Sequence, residues 1–303
     1  MNLSNAAILD AAALALDAAE VDSWVGAHLD TDGPVLTRES GARDRPIVTT
    51  VGDGIIRVRI GAPVSTSMLV EFEEQEVSWA ASGDRIVGVG AEIAFDSDGG
   101  LRLGPLVRSR GDGSMGGPGL IPGAVTRDGV ISGWVERFAL HPYTGVFGGG
   151  ESVQGPELRG RSRWMRNVET SGFTGYDLGY LNVPLLWSPD GWGLFVHSGA
   201  ALRADIGRTV SDVLSLAAEG EGLDLFLLTG TPAEILANYH RLTGRPGTMP
   251  EWALGTWMSR CSYFSETEIH RMLDEAEAAD CPIDVVHVDA WQTGEVLVDL
   301  ACN

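Results

Sequence analysis

The chain has 303 residues, 44% hydrophobic and 21% charged, a composition that excludes a disordered or collagen-like protein and leaves room for one large core or two ordinary ones. Twenty-one basic residues face 42 acidic ones, for a formal net charge of −21, so phosphate backbones and anionic membrane surfaces are unfavourable partners. The 40 glycines imply many tight turns, as short antiparallel strands require. Every basic residue is arginine, which removes lysine Schiff-base and P-loop chemistry from these residues.

The first segment predicts a helix, capped by Asn5, with Ile8, Leu9, Ala12, Leu14 and Leu16 on its apolar face. It lacks a basic n-region, and Asp10 and Asp17 break its apolar run, so it is not a secretory signal and the expected compartment is the cytoplasm. Residues 1–45 are taken as this N-terminal helical segment. From Pro46 the texture becomes short β-branched runs of period two: IVTTV, GIIRVRIG, RIVGVGAEIAF, VISGWVERFAL, GWGLFVHSG and LDLFLLTG. Strands without intervening helices over residues 46–230 predict a sandwich of antiparallel sheets, with Trp134, Phe138 and Phe147 inside it. The polar loop Gly111–Gly119 interrupts the run.

Residues 231–249 predict a linker helix and turn. Thr231 is the N-cap, Pro232 the first helical residue and Glu234 the partner in a capping box, and Gly244 ends the helix. Residues 250–303 then predict strand, helix, strand: ALGTWMS, a helix capped by Ser265 with Glu268 three residues on, and CPIDVVHVD ending at Asp289. One such unit leaves strand edges and a sheet face uncovered, so it is expected either to be the start of an incomplete barrel or to pair with another chain, for which a homo-oligomer is one arrangement.

Cys261, Cys281 and Cys302 form no C-x-x-C pair, and the six histidines form no H-E-x-x-H pattern, so neither a metal nor an organic cofactor is implied. The glycines at Gly148–Gly150 are not followed by Lys-Ser/Thr, which argues for a turn over a phosphate loop.

Several strings in order resemble glycoside hydrolase family 31, the α-glucosidase and α-xylosidase family: GGGE (Gly148–Glu151), WMRN (Trp164–Asn167), YLNVPLL (Tyr180–Leu186), GWG (Gly191–Gly193), LTGRP (Leu242–Pro246) before PEWALGTWMSRCSYFSE (Pro250–Glu266), and VVHVDAW (Val285–Trp291). The resemblance covers residues 46 to 303. It implies a mutarotase-like N-terminal β-sandwich followed by the first strand–helix–strand of a (β/α)8 catalytic barrel. It also implies a retaining glycosidase acting on α-linked oligosaccharides or glycosides, with a carbohydrate as its substrate partner. Asp289 and Trp291, at the C-terminal end of the second barrel strand, together with Asn167 and Tyr263, are the implied sugar contacts. A barrel of this kind needs about 250 residues, and the family's nucleophile and acid/base aspartates correspond to nothing within residues 1–303. No catalytic residue is therefore assigned, and residues 1–303 alone are expected to be inactive. Asn167 departs from the aspartate that many members carry, and Cys261 from an aromatic residue in some. A non-catalytic carbohydrate-binding or interaction protein is the alternative reading.

Overall fold

Period-two alternation of apolar side chains gives each strand one face for a core and one for another layer. In the computed structural model, which describes residues 20–64, 69–109, 122–151, 155–167, 181–260, 263 and 265–288, those faces close two antiparallel sheets on each other. The first sheet has eight strands, in the spatial order Arg161–Met165, Leu202–Ile206, Val213–Glu219, Val130–Ala139, Gly123–Arg127, Glu20–Asp30, Gly33–Arg38, Arg43–Asp44. The second has seven, in the order Phe147–Gly148, Leu185–Ser188, Trp192–Val196, Gly222–Thr229, Ile55–Gly61, Ile47–Thr50, Gln75–Glu76. A five-stranded antiparallel meander spans Ser78–Ser82 to Leu106–Val107.

One continuous core joins the three. Leu202, Ala204 and Ile206 enter it from the first sheet, Ile56, Val58 and Ile60 from the second, and Phe95, Leu101 and Leu103 from the meander. Trp134 and Phe138 are buried in it, whereas Phe147 is only half-buried, stacked on Trp187 at 4.9 Å between ring centroids. Phe147 belongs to a two-residue edge strand, which leaves part of its ring uncovered.

The strand Gly222–Thr229 is apolar on both faces because both are covered. Leu223, Leu225 and Leu227 face the sandwich core, while Phe226 and Leu228 join Phe195, Ile235 and Leu242 in a second cluster. Ile235 and Leu242 belong to the helix Pro232–Thr243, which lies on the outer face of the seven-stranded sheet. Its N-terminus is the predicted one: Thr231 is the N-cap, both halves of the capping box with Glu234 are formed, and Gly244 ends it at φ 90°.

Two corrections follow. Residues 20–44, expected within a helical segment, are strands of the eight-stranded sheet, so the sandwich begins by Glu20 and not at Pro46. The alternation there is weak in sequence because Gly26 and a register shift between Trp24 and Gly26 interrupt it. The linker helix, expected between two domains, groups with the sandwich: the chain divides into Met1–Gly244 and Arg245–Asn303. The predicted N-terminal helix and the Gly111–Gly119 loop lie outside the described residues. Among the described residues between Pro46 and Gly230 there is no helix.

The second unit is the predicted strand–helix–strand. Trp257–Arg260 and Val285–Val288 pair in parallel, with the helix Glu266–Ala278 between them in sequence. Ser265 caps that helix by accepting from the Glu268 N–H at 3.1 Å, and the Glu268 carboxylate meets Arg260 at 3.0 Å. Trp257 and His287, on the two strands, are exposed, Trp257 at 53%; among the described residues this sheet has two strands.

Candidate functional site

The strings GGGE and WMRN and the residues Leu181–Leu186, separated in sequence, meet at one rim of the sandwich. The turn Gly148–Glu151 is held by backbone bonds from Gly149 N–H to the Leu185 carbonyl at 2.9 Å and from Glu151 N–H to the Leu181 carbonyl at 2.8 Å. Gly148, Gly149 and Gly150 have φ of 110°, 77° and 83°, a region that disfavours any side chain. A Cβ at Gly148 would collide with the Leu185 carbonyl and one at Gly150 with that of Leu181. These glycines thus serve close backbone approach, in keeping with a turn and not a phosphate cradle.

Arg163 organises the rim. It pairs across the sheet with Ala204, an inward position, and is 0% exposed. Its guanidinium donates to the carbonyls of Gly149 and Glu151 and, at 3.2 Å, to Asn182 Oδ1. Asn182 in turn donates to Asn167 Oδ1 twice, from its backbone N–H at 3.0 Å and from Nδ2 at 2.9 Å. Asn167 itself is exposed. Beside it, the Trp164 ring carries the Arg203 guanidinium at 5.4 Å. Sequence reasoning named Asn167 but missed Arg163 and Asn182. The available signal was an arginine at an inward strand position, which needs hydrogen-bond partners when buried.

In the second unit, Arg260 pairs with Val288, so both strands end level. Asp289 and Trp291 follow that end in sequence and lie outside the described residues. Tyr263 is 1% exposed and its hydroxyl accepts from the Arg260 N–H at 3.1 Å. Its ring lies 5.9 Å from the Arg260 guanidinium. The structure therefore places Tyr263 against the strand end, with its face not open for stacking on a sugar.

A further polar cluster lies on the outer face of the seven-stranded sheet. Arg57 forks onto both Asp224 oxygens at 2.8 and 2.6 Å and also pairs with Glu74. Glu74 accepts from Arg59 at 2.8 Å and from Thr49 at 2.6 Å, and His197 Nδ1 meets Asp224 at 2.7 Å. Burial pushes the Asp224 carboxyl up, but hydrogen bonds from Arg57 and His197 more than offset this and hold it below the usual carboxylate range. Burial likewise works against the Arg57 charge, and Asp224 with Glu74 more than restores it.

Among the described residues no group of three or more His, Cys, Asp or Glu side chains is placed to hold a metal ion, and no helix is long and apolar enough to cross a membrane.

Residues 246–299 match the family model for the glycosyl hydrolases family 31 TIM-barrel domain. Over 127 residues the chain is 33% identical to α-xylosidase XylQ of Lactiplantibacillus pentosus, covering 41% of this chain and 17% of that protein. Over 83 residues it is 37% identical to α-glucosidase 2 of Bacillus thermoamyloliquefaciens, covering 27% of this chain and 10% of that protein. The fold is similar to that of the family 31 dextranase of Flavobacterium johnsoniae, solved with glucose, at a TM-score of 0.69 and 16% identity over 90% of this chain and 34% of that one. The chain thus spans about a sixth of the xylosidase and a third of the dextranase. The chain therefore resembles glycosyl hydrolase family 31 in the sequence of residues 246–299, which match that family's TIM-barrel model, and its antiparallel sandwich shares the fold of the dextranase.

Proposed function

We propose that this chain is part of a retaining α-glycosidase, an α-glucosidase or α-xylosidase acting on α-linked oligosaccharides or glycosides. The observation that carries the reading is the family 31 TIM-barrel match over residues 246–299 in a chain whose relatives include α-xylosidases and α-glucosidases. In such enzymes one carboxylate attacks the anomeric carbon while a second, about 5–5.5 Å away, protonates the leaving oxygen, through an oxocarbenium-like transition state. Neither carboxylate is assigned within residues 1–303.

What these residues supply in this reading is recognition. Asp289 accepts hydrogen bonds from sugar hydroxyls, Trp291 packs its ring on the C–H face of the sugar, and Asn167 contributes an amide from the sandwich rim. Tyr263, buried against Arg260, supports the strand end that leads towards these positions.

The test is hydrolysis of aryl α-glucosides and α-xylosides by the natural polypeptide that contains these residues, with the anomer released followed by NMR. Release of the α-anomer first, and no turnover by residues 1–303 alone, is expected. Release of the β-anomer, or no turnover of either glycoside class by the natural polypeptide, would overturn the proposal.

A further inference from the structure

We propose that Asp284 is a positioning residue. Its carboxylate sets the register in which the strand Val285–Val288 pairs with Trp257–Arg260, and so fixes where the chain that leads into Asp289 leaves the sheet. For its functional consequence the inference rests on the glycosidase reading; the register itself does not.

A parallel strand with no polar–apolar alternation has little in its own side chains to fix its register. The run Val285-Val286-His287-Val288 is apolar except at His287. Sliding it by two residues keeps the same faces and exchanges one apolar side chain for another. The side-chain bonds around the first strand are equally indifferent. Trp257 Nε1 donates to the Ala253 carbonyl at 3.0 Å, the Arg260 N–H to the Tyr263 hydroxyl at 3.1 Å and the Arg260 guanidinium to Glu268 at 3.0 Å. None of those acceptors lies on the second strand.

Asp284 differs. It directly precedes the second strand as Thr256 precedes the first, and the two residues exchange hydrogen bonds. The Thr256 N–H donates to Asp284 Oδ2 at 2.7 Å, and the Asp284 N–H donates to the Thr256 carbonyl at 3.0 Å. Gly255 makes the room: a Cβ there would collide with Asp284 Oδ2. Its φ of −84° is one that any residue adopts, so space and not backbone conformation calls for glycine. A slip of two residues would bring Pro282 or Val286 opposite Thr256, and a slip of one Ile283 or Val285. None of these carries a side-chain acceptor for the Thr256 N–H. The bond is exposed, so it does not hold the sheet together; it decides between pairings that the apolar run leaves nearly equal. In the observed pairing Arg260 stands opposite Val288. A two-residue slip would move the exit of the second strand by about 6.6 Å against the first.

The experiment uses the natural polypeptide with Cys261→Ser, Cys281→Ser and Cys302→Ser and one introduced cysteine pair at a time. Met258→Cys with Val286→Cys reports the observed register. Met258→Cys with Val288→Cys, and Arg260→Cys with Val286→Cys, report the two slipped ones, because diagonal positions stand too far apart to bridge. With Asp284 present, the first pair should oxidise and the other two should not. With Asp284→Ala a slipped pair should form as well. The same should hold with Gly255→Ala, which keeps every hydrogen-bonding group and takes only the space of the carboxylate. With Asp284→Asn, whose amide oxygen still accepts, no slipped pair should form. In proteins with the native cysteines, kcat/KM on aryl α-glycosides should fall about tenfold or more in Asp284→Ala and Gly255→Ala, as a misplaced binding group requires, and should be restored in Asp284→Asn. Absence of a slipped bridge in both Asp284→Ala and Gly255→Ala would overturn the register assignment. A slipped bridge with unaltered kcat/KM would overturn the positioning role and leave the glycosidase reading intact. No turnover by the unsubstituted polypeptide would overturn that reading and the positioning role together, while the bridges would still report the register.

Discussion

Arg57 spans two carboxylates in a largely apolar setting, over the face of Phe226 at 4.8 Å. Breaking a buried pair from one side costs about 3–5 kcal/mol when the other charge is left uncompensated; here Asp224 keeps His197 and Glu74 keeps Arg59 and Thr49, so the loss falls towards the lower end of that range. Arg57→Met should therefore lower the melting temperature sharply, and a thermal melt unchanged within a degree would refute the assignment. The same pair sets an acid limit. Asp224 titrates lower in the folded protein than in the unfolded chain, so its stabilisation is complete above about pH 4 and is lost as the pH falls towards the folded value. Wild-type stability should drop over that acid range more steeply than that of Arg57→Met. In the proposed glycosidase reading Asp289 belongs to a different category, since it follows the apolar run Val285–Val288 in sequence, and barrels carry their sites at such strand ends. In the natural polypeptide, Asp289→Asn should reduce kcat/KM at least about tenfold, the loss of one charge-assisted hydrogen bond, with an unchanged melting temperature. A lowered melting temperature with intact kinetics would make it structural.

At the scale of elements, the helix Pro232–Thr243 shows how a local signal and a tertiary contact cooperate. Thr231 accepts from Glu234 N–H and Glu234 reaches back to Thr231 N–H at 2.8 Å, satisfying two donors that a helix end otherwise leaves bare. Thr231→Ala should cost about 1 kcal/mol, visible as a lower urea midpoint with an unchanged slope. No change would mean that packing of Ile235 and Leu242 alone holds the helix. This helix was legible because Thr-Pro-x-Glu is a local pattern. The strands from Glu20 to Asp44 were not: Gly26, Gly33 and Gly41 fragment the alternation, and what makes them strands is pairing with Gly123–Arg127, distant in sequence.

Across the whole chain, apolar burial is unevenly distributed. Among the described residues, the three hydrophobic clusters lie within Met1–Gly244. Among the described residues of Arg245–Asn303, Tyr263 and Met272 are the buried hydrophobic ones, while Trp252, Leu254 and Trp257 are more than half exposed. Local stability follows burial, so in the 303-residue polypeptide the amides of Glu266–Ala278 should exchange with solvent far faster than those of Gly222–Thr229. Equal protection in the two segments would show that the second unit is stabilised by something other than its own core.

The sequence by itself determined the antiparallel strands after Pro46, both helix N-caps, the parallel strand–helix–strand after Pro250 and the resemblance to family 31, because each rests on local periodicity, capping chemistry or motif order. Only the tertiary structure decided that residues 20–44 join the sandwich, that Tyr263 turns inward, and that Arg163, Asn182 and Asn167 form one chain of hydrogen bonds. The reason is physical: a buried arginine finds its partners on loops separated from it by 12 to 19 residues, and no local pattern encodes which carbonyls or amides those loops will bring to it.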